Sequence, residues 1–542
     1  MRIFKRITSA LARAIPLKQK TYLAICTASL LALTLSWSTP GIAADLHLRV
    51  GLAADVTSFD PHYLNSGPNN AFAFHIFDAL VNLDSNGQLV PGLATSWKAI
   101  DPLTWEFKLR HGVKFHNGTE LTAEDVIFSL DRPATILNSP GSFTSYTKQI
   151  VSKQAVDAYT VRLKTATPYG PLPLDVNSIF IVSKKVAQNA STDDFNTGKA
   201  LIGTGPFKFV SAKRGDRIEL VRNDNYWGEK PHWDKVTLRI LTSGAPRVAA
   251  LLAGDIDAIE SVPPADLPKL KTNVKVKLEQ KISWRTIFWA LDQQAHVSPD
   301  ITDKAGKPLT TNPLHDIRVR RAISKAINRQ ALSDRVLEGL AVPASNIVAP
   351  GILGYDDTVK VEAYDPEGAK KLLAEAGYPN GFNITLHGPN NRYINDEQIV
   401  QTVAQFLSKI GIQAKVETMP LAVYFPKASK GEFSIALLGW GSVAGDFALR
   451  TLLGTANPET GWGSWNWGKY SNPALDDLIR SSLASVDDTK RRDFAKKAMG
   501  VALRDYAVIP LHHQYATWAL RKGLKYAART DEFTFAQEFK PE

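Results

Sequence analysis

The stretch Phe433–Asp446, FSIALLGWGSVAGD, holds the residues best suited to meeting a small molecule. Its apolar run, Phe433 to Leu438, has the length of a buried strand and breaks at Gly439 into a loop of small residues. That loop carries one large aromatic, Trp440, a hydroxyl, Ser442, the apolar Val443 and a carboxylate, Asp446. A strand that delivers an aromatic ring and a few polar groups into a glycine-rich loop builds a ligand pocket. The same pattern also describes a strand and surface turn in which Trp440 only caps the core. Either way the chemistry is recognition. Neither G-x-S-x-G nor H-E-x-x-H occurs, and no phosphate loop is present, so a secreted hydrolase or transferase has no positive feature to rest on. His512 and His513 supply two imidazoles, but neighbours on a strand point to opposite faces and do not make a metal site.

Positioning such a pocket takes a large scaffold, and 542 residues are enough for roughly two to four lobes. Hydrophobic content of 44% and charged content of 22% are those of a soluble globular protein. The formal net charge of +11 includes six basic residues and no acid within the first 44 positions. The remainder therefore carries about +5, without the dense basic run and interleaved aromatics that nucleic acid would call for. Those first residues form a basic segment ending at Lys20, an apolar segment from Tyr22 to Trp37, and a break at Thr39-Pro40-Gly41 followed by Ala43 and Ala44. This is the grammar of a cleavable secretory signal over residues 1–43. Cys26, the single cysteine, falls inside it, which leaves the exported chain without disulfides or thiolate ligands.

Beyond the signal, alternation at Leu46, Leu48, Val50 and Leu52 predicts a first strand, Ala71–Leu80 a helix, and Asn86-Gly87 a hairpin turn. Thr122 and Asp125 have capping-box spacing ahead of an apolar face at Ala123, Val126, Ile127 and Leu130. The aromatic run Trp284–Asp292 reads as a buried strand or crossing segment. After it, helices and strands alternate. Asp316 and Asp365-Pro366 start helices, the second ending at Gly377; Gln413–Glu417 and Phe433–Leu438 are strands, a long helix covers about Thr489–Asp505, and Val508–Leu511 returns as a strand. An α/β lobe thus follows a β-rich one.

Several blocks, in order, resemble the extracellular solute-binding proteins of family 5, the peptide-, opine- and nickel-type binding components of ABC importers. They are Ile76–Arg132, GTGPFKFV, NDNYWG, LLAGDIDAI, DIRVRRAISKAINR, YDPEGAKKLLAEAGYPNG and YSNPALDDLI. The resemblance spans nearly all of the exported chain. It implies an α/β, two-lobed periplasmic binding protein fold of type II with the ligand cleft between the lobes. Lobe 1 would cover 44–292 with an extra β-rich subdomain at about 75–200, lobe 2 would cover 293–511, and residues 512–542 would return to lobe 1. The crossings would fall near Trp289–Gln294 and Leu511–Tyr515. The resemblance further implies a monomer without cofactor or bound metal. Its partners would be a small-molecule or short-peptide ligand and an inner-membrane permease with its ATPase subunits.

By the same resemblance, Arg392 in HGPNNRY takes the position that pairs with a ligand carboxylate, and Trp440 walls the ligand. The acid that holds a dipeptide's α-amine falls on Val443, which cannot neutralise an ammonium. Asp446, three residues on, is the candidate substitute. Ser442, Asn466, Tyr63 and Asn65 complete the expected lining. The departure at Val443 points away from a free dipeptide and keeps an opine or metal chelate as an alternative.

Overall fold

The computed structural model describes residues 46–298 and 300–542. The expected signal segment and Cys26 lie outside them. Among the described residues no helix is long and apolar enough to cross a membrane.

One mixed sheet of 12 strands runs through both lobes. Its centre is a pair of long antiparallel strands, Val276–Leu291 and Val508–Arg521. On the lobe 1 side the sheet continues through Ala258–Glu260, His47–Leu52, Lys235–Ile240, Arg217–Arg222 and Phe207–Lys213. On the lobe 2 side it continues through Ile435–Gly441 and Asn383–Pro389, with Gln413–Met419 parallel to the latter. The central strands belong to both halves, so neither lobe closes its sheet without them.

Burial explains why the apolar runs here are unbroken. Trp289 and Leu437 pack into one lobe 2 core with Val319, Ile323 and Val403, whereas Phe288 and Leu438 pack into another with Tyr424, Leu449 and Met499. A strand covered on both faces loses its alternation. The return strand is longer than the apolar run Val508–Leu511 predicts. His512, His513 and Gln514 interrupt that run in sequence, yet all three are buried.

A separate four-stranded antiparallel sheet runs in the order Ala94–Asp101, Thr104–Leu109, Thr160–Thr165, Ile150–Asp157. Helix Ala123–Asp131 contributes Val126 and Leu130 to the core shared with Phe107, Val161 and Leu163. Its capping box is formed, with the Thr122 N–H donating to Asp125 Oδ2 at 3.0 Å. The first helix differs from expectation. It spans Gly67–Ile76 instead of Ala71–Leu80, because Pro68 in its first turn pre-sets the helical φ. Beyond it the chain turns extended at Phe77, freeing Asp78 to leave the helix.

Candidate functional site

A cavity of about 430 Å³ opens where the central strand Val276–Leu291 passes between the lobes. The two central strands do not stay in register there. Ile282 faces Tyr515 but Thr286 faces His513, so extra residues on one strand bulge from the ladder. The Trp284 N–H donates instead to Thr530 O (2.9 Å), and the Arg285 N–H to Ser283 Oγ (3.0 Å). The bulge thereby places Trp284 and Arg285 in the cavity lining.

Lobe 2 supplies Trp440 and its flanking glycines. A β-carbon at Gly439 would stand 2.6 Å from the Tyr393 ring, and one at Gly441 2.8 Å from Trp284. These two positions are small because aromatic rings lie directly on the strand. Gly441→Ala should therefore displace Trp284 and cost about 1–3 kcal/mol, read as a lower midpoint in urea together with altered tryptophan fluorescence. Trp440 meets Trp465 edge-on at 5.8 Å, and Trp465 meets Phe425 at 5.4 Å. On the lobe 1 side Phe533 stands edge-on to Trp284 at 5.7 Å. The indole N–H groups of Trp284 and Trp440 are buried in these walls without a protein acceptor.

The charges of the cavity divide unevenly. Arg285 is engaged by Glu532 (2.9 Å), a residue in the left-handed backbone region at φ 65°. Burial opposes the charge of Arg285, and Glu532 more than offsets it, raising the pKa. Asp531 is held by Arg529 at 2.7 Å. Glu260 accepts from the Ala53 N–H (2.8 Å) and the Thr534 hydroxyl, and burial raises its pKa. Arg392 is different. Its backbone N–H donates to Asp396 Oδ2 (2.8 Å), which starts the helix Asp396–Ser408. Its guanidinium has no hydrogen bond or ion pair among the described residues and lies 5.4 Å from the Tyr393 ring. Burial, then the nearby charge of Arg285, lowers its pKa. The buried unspent polar groups of this cavity are thus the indole donors of Trp284 and Trp440, with the Arg392 guanidinium beside them.

Of the residues expected from sequence, Arg392 and Trp440 line the cavity. The others have different surroundings. Asp446 is buried and takes two hydrogen bonds from Arg491, at 2.7 and 3.0 Å. Asn466 is buried and spends its amide on Gly454 O, Tyr470 O and the Tyr470 N–H, closing its own loop. Ser442 Oγ accepts from the Ala444 N–H (3.0 Å). Asn65 bonds Tyr146 and Asn70, and the Tyr63 carbonyl accepts from Ser139. Val443 abuts the hairpin turn of lobe 1, where a β-carbon on Gly87 would come within 3.0 Å of it. His512 and His513 are buried on the return strand, their pKa values lowered by burial to about 3 and about 4. Trp284, Arg285, Trp465, Glu532 and Phe533 join the site without having been expected. For Trp284 and Arg285 the signal was present, since Ser283-Trp284-Arg285 breaks the run of the strand; for Glu532 there was none.

With this geometry in place, comparison with known proteins is informative. Residues 88–458 match the family described as bacterial extracellular solute-binding proteins, family 5 Middle. The dipeptide-binding protein of Escherichia coli K12 is 30% identical over 506 residues, covering 86% of this chain and 89% of that protein. Heme-binding protein A of Haemophilus influenzae is 29% identical over 488 residues, covering 84% and 85%. Among solved structures, an ABC transporter-associated periplasmic binding protein from Helicobacter pylori in complex with the peptide STSA aligns with a TM-score of 0.73 at 26% identity. It covers 92% of this chain and 99% of its own.

Proposed function

Since this chain belongs to the bacterial extracellular solute-binding proteins of family 5, we propose that its cleft captures a carboxylate-bearing, peptide-like solute in the periplasm and presents it to an inner-membrane ABC permease. It does so as a monomer and without turnover. The observation that carries this reading is Arg392, a guanidinium in an aromatic-lined cavity whose carboxylates are already engaged. A planar, permanently charged fork suits a carboxylate approaching from between the lobes. Trp440, Trp284 and Phe533 offer ring faces and edges to the body of the solute.

Asp531 and Glu532 are neutralised by Arg529 and Arg285, and Glu260, held by neutral donors, has its carboxyl pushed up by burial, so a free α-ammonium finds little counter-charge there. The preferred solute is therefore acidic with a blocked, substituted or distant amine. Titration calorimetry against matched free and N-acetylated di- to pentapeptides tests this, with N-acetylated acids binding at least as tightly as their free counterparts. Arg392→Ala should weaken the best acid by about 10- to 100-fold, the worth of a charged hydrogen bond. Unchanged affinity in that variant would remove the anchor from this reading.

A further inference from the structure

A second cavity, of about 730 Å³, lies within lobe 1, away from Arg392. One wall is the hairpin Val81–Leu83 and Leu89–Pro91; the other is the C-terminal segment around Tyr526 to Lys540. Phe533 and Asp531 line this cavity and the interlobe one, so the two are neighbours.

Its buried unspent polarity has the opposite sense to that of the cleft. Three oxygens of its lining residues, Asn82 Oδ1, Gln537 Oε1 and Glu538 Oε2, are buried without a donor. The lining holds five carboxylates and three cations. Arg529 is consumed by Asp531 and by Glu538 Oε1, each at 2.7 Å, and by Leu83 O at 3.0 Å, and Lys540 is paired with Glu229. Lys525, exposed at the rim, has no ion pair among the described residues. Asp78, fully buried, is held by neutral donors: the Thr204 hydroxyl at 2.7 Å, the Trp227 indole at 2.9 Å and the Tyr226 hydroxyl at 3.2 Å. Rings of Phe74, Tyr526 and Phe535 complete the surround.

A chamber with negative excess, orphaned acceptor oxygens and aromatic faces is matched by a cation that carries its own N–H donors and an apolar body. A bare metal ion is not matched, because no group of three or more His, Cys, Asp or Glu side chains among the described residues is arranged to hold one. We propose that this lobe 1 cavity is a second binding site, for an organic cation bearing a primary ammonium or guanidinium, with Asn82, Gln537 and Glu538 as its acceptors. The cation is either a separate solute or the far end of a longer ligand that enters from the cleft past Phe533. The acceptor set is common to both.

Titration calorimetry with tyramine and with agmatine tests the site on the purified exported chain. One saturable site is expected, weakened about tenfold or more by Glu538→Gln and tightened about fivefold or more by Asn82→Asp, which places a full charge beside the ammonium. Arg392→Ala should leave amine affinity unchanged. Because Glu538→Gln also alters the partner of Arg529, the gain in Asn82→Asp is the decisive measurement, taken alongside a melting curve. Absence of saturable binding, insensitivity to both lobe 1 variants, or loss of binding in Arg392→Ala would each overturn the proposal. An arginine-containing acidic peptide separates the two sources. If it displaces tyramine from the wild type but not from Arg392→Ala, the cation is one end of a cleft ligand; displacement from both identifies an independent solute. Since the lobe 1 variants act on amines and Arg392→Ala on acids, this site and the cleft reading fail separately.

Discussion

Asp446→Ala should destabilise the ligand-free protein by about 3–5 kcal/mol, seen as a melting midpoint several degrees lower. Asp446 begins the helix Gly445–Leu452 and is buried against Arg491, itself buried in the first turn of the helix Asp488–Arg504. Arg491 Nε and Nη2 both reach Asp446 Oδ2, while Asp488 stands 3.8 Å from Nη1. Truncating the carboxylate leaves a buried guanidinium with a distant, exposed partner, and that uncompensated charge dominates the cost. A second readout comes from lobe 1. Burial, and then the charge of Asp446, push the Asp175 carboxyl up to about 7, with Arg450 and Arg491 opposing. Removing Asp446 should therefore lower the Asp175 pKa, measurable by NMR titration. A variant that melts like the wild type and loses only ligand affinity would show that Asp446 faces the solute after all.

His512→Leu should have the opposite effect, stabilising the protein by about 1–2 kcal/mol at neutral pH. His512 is fully buried on the return strand and neither ring nitrogen finds a partner. Its folded pKa, lowered to about 3 by burial and by His513, lies below the ordinary value of 6.5. As pH falls through about 6.5 the unfolded chain takes up a proton that the folded chain refuses, so His512 subtracts stability across the window from about 6.5 down to about 3. The advantage of the leucine variant should then grow by about 1.4 kcal/mol per pH unit on acidification. Melting both proteins at pH 7.5 and pH 5 checks this, and a gap that stays constant or narrows would mean that His512 is partnered or charged in the fold. His513→Leu is the contrasting control, because His513 Nδ1 shares a 2.8 Å hydrogen bond with the Thr286 hydroxyl that leucine would strand.

What was legible in the chain was chiefly what is decided locally. Asp316 and Asp365 cap their helices through N–H groups two and three residues on, and Gly377 takes the left-handed conformation where the second of those helices ends. Such signals need no knowledge of the rest of the fold. Side-chain roles near the cleft are another matter. Asn466 between two tryptophans reads the same whether its amide meets a solute or, as here, the backbone of Tyr470. Asp446 likewise has the same sequence context with or without Arg491, 45 residues on, as its partner. Trp284 and Arg285 reach the cavity because two strands slip out of register, an event marked in the sequence only by the break at Ser283-Trp284-Arg285. Glu532 reaches it because the C-terminal segment returns beside them, which leaves no trace there.

The slipped register has a mechanical meaning. Two strands hydrogen-bonded along their length resist sliding, so lobes joined by them move by flexing of the shared ribbon. Where rungs are missing, between Ile282 and Thr286, the ribbon is most compliant. Trp284 and Arg285 stand at that weak point, so a solute that touches them pushes on the fulcrum and not at the end of a lever. If the solute seats there, small differences in its girth would become larger differences at positions far from the ribbon. Selectivity would then be in part a selection of angle, set at the place where the two strands lose their register.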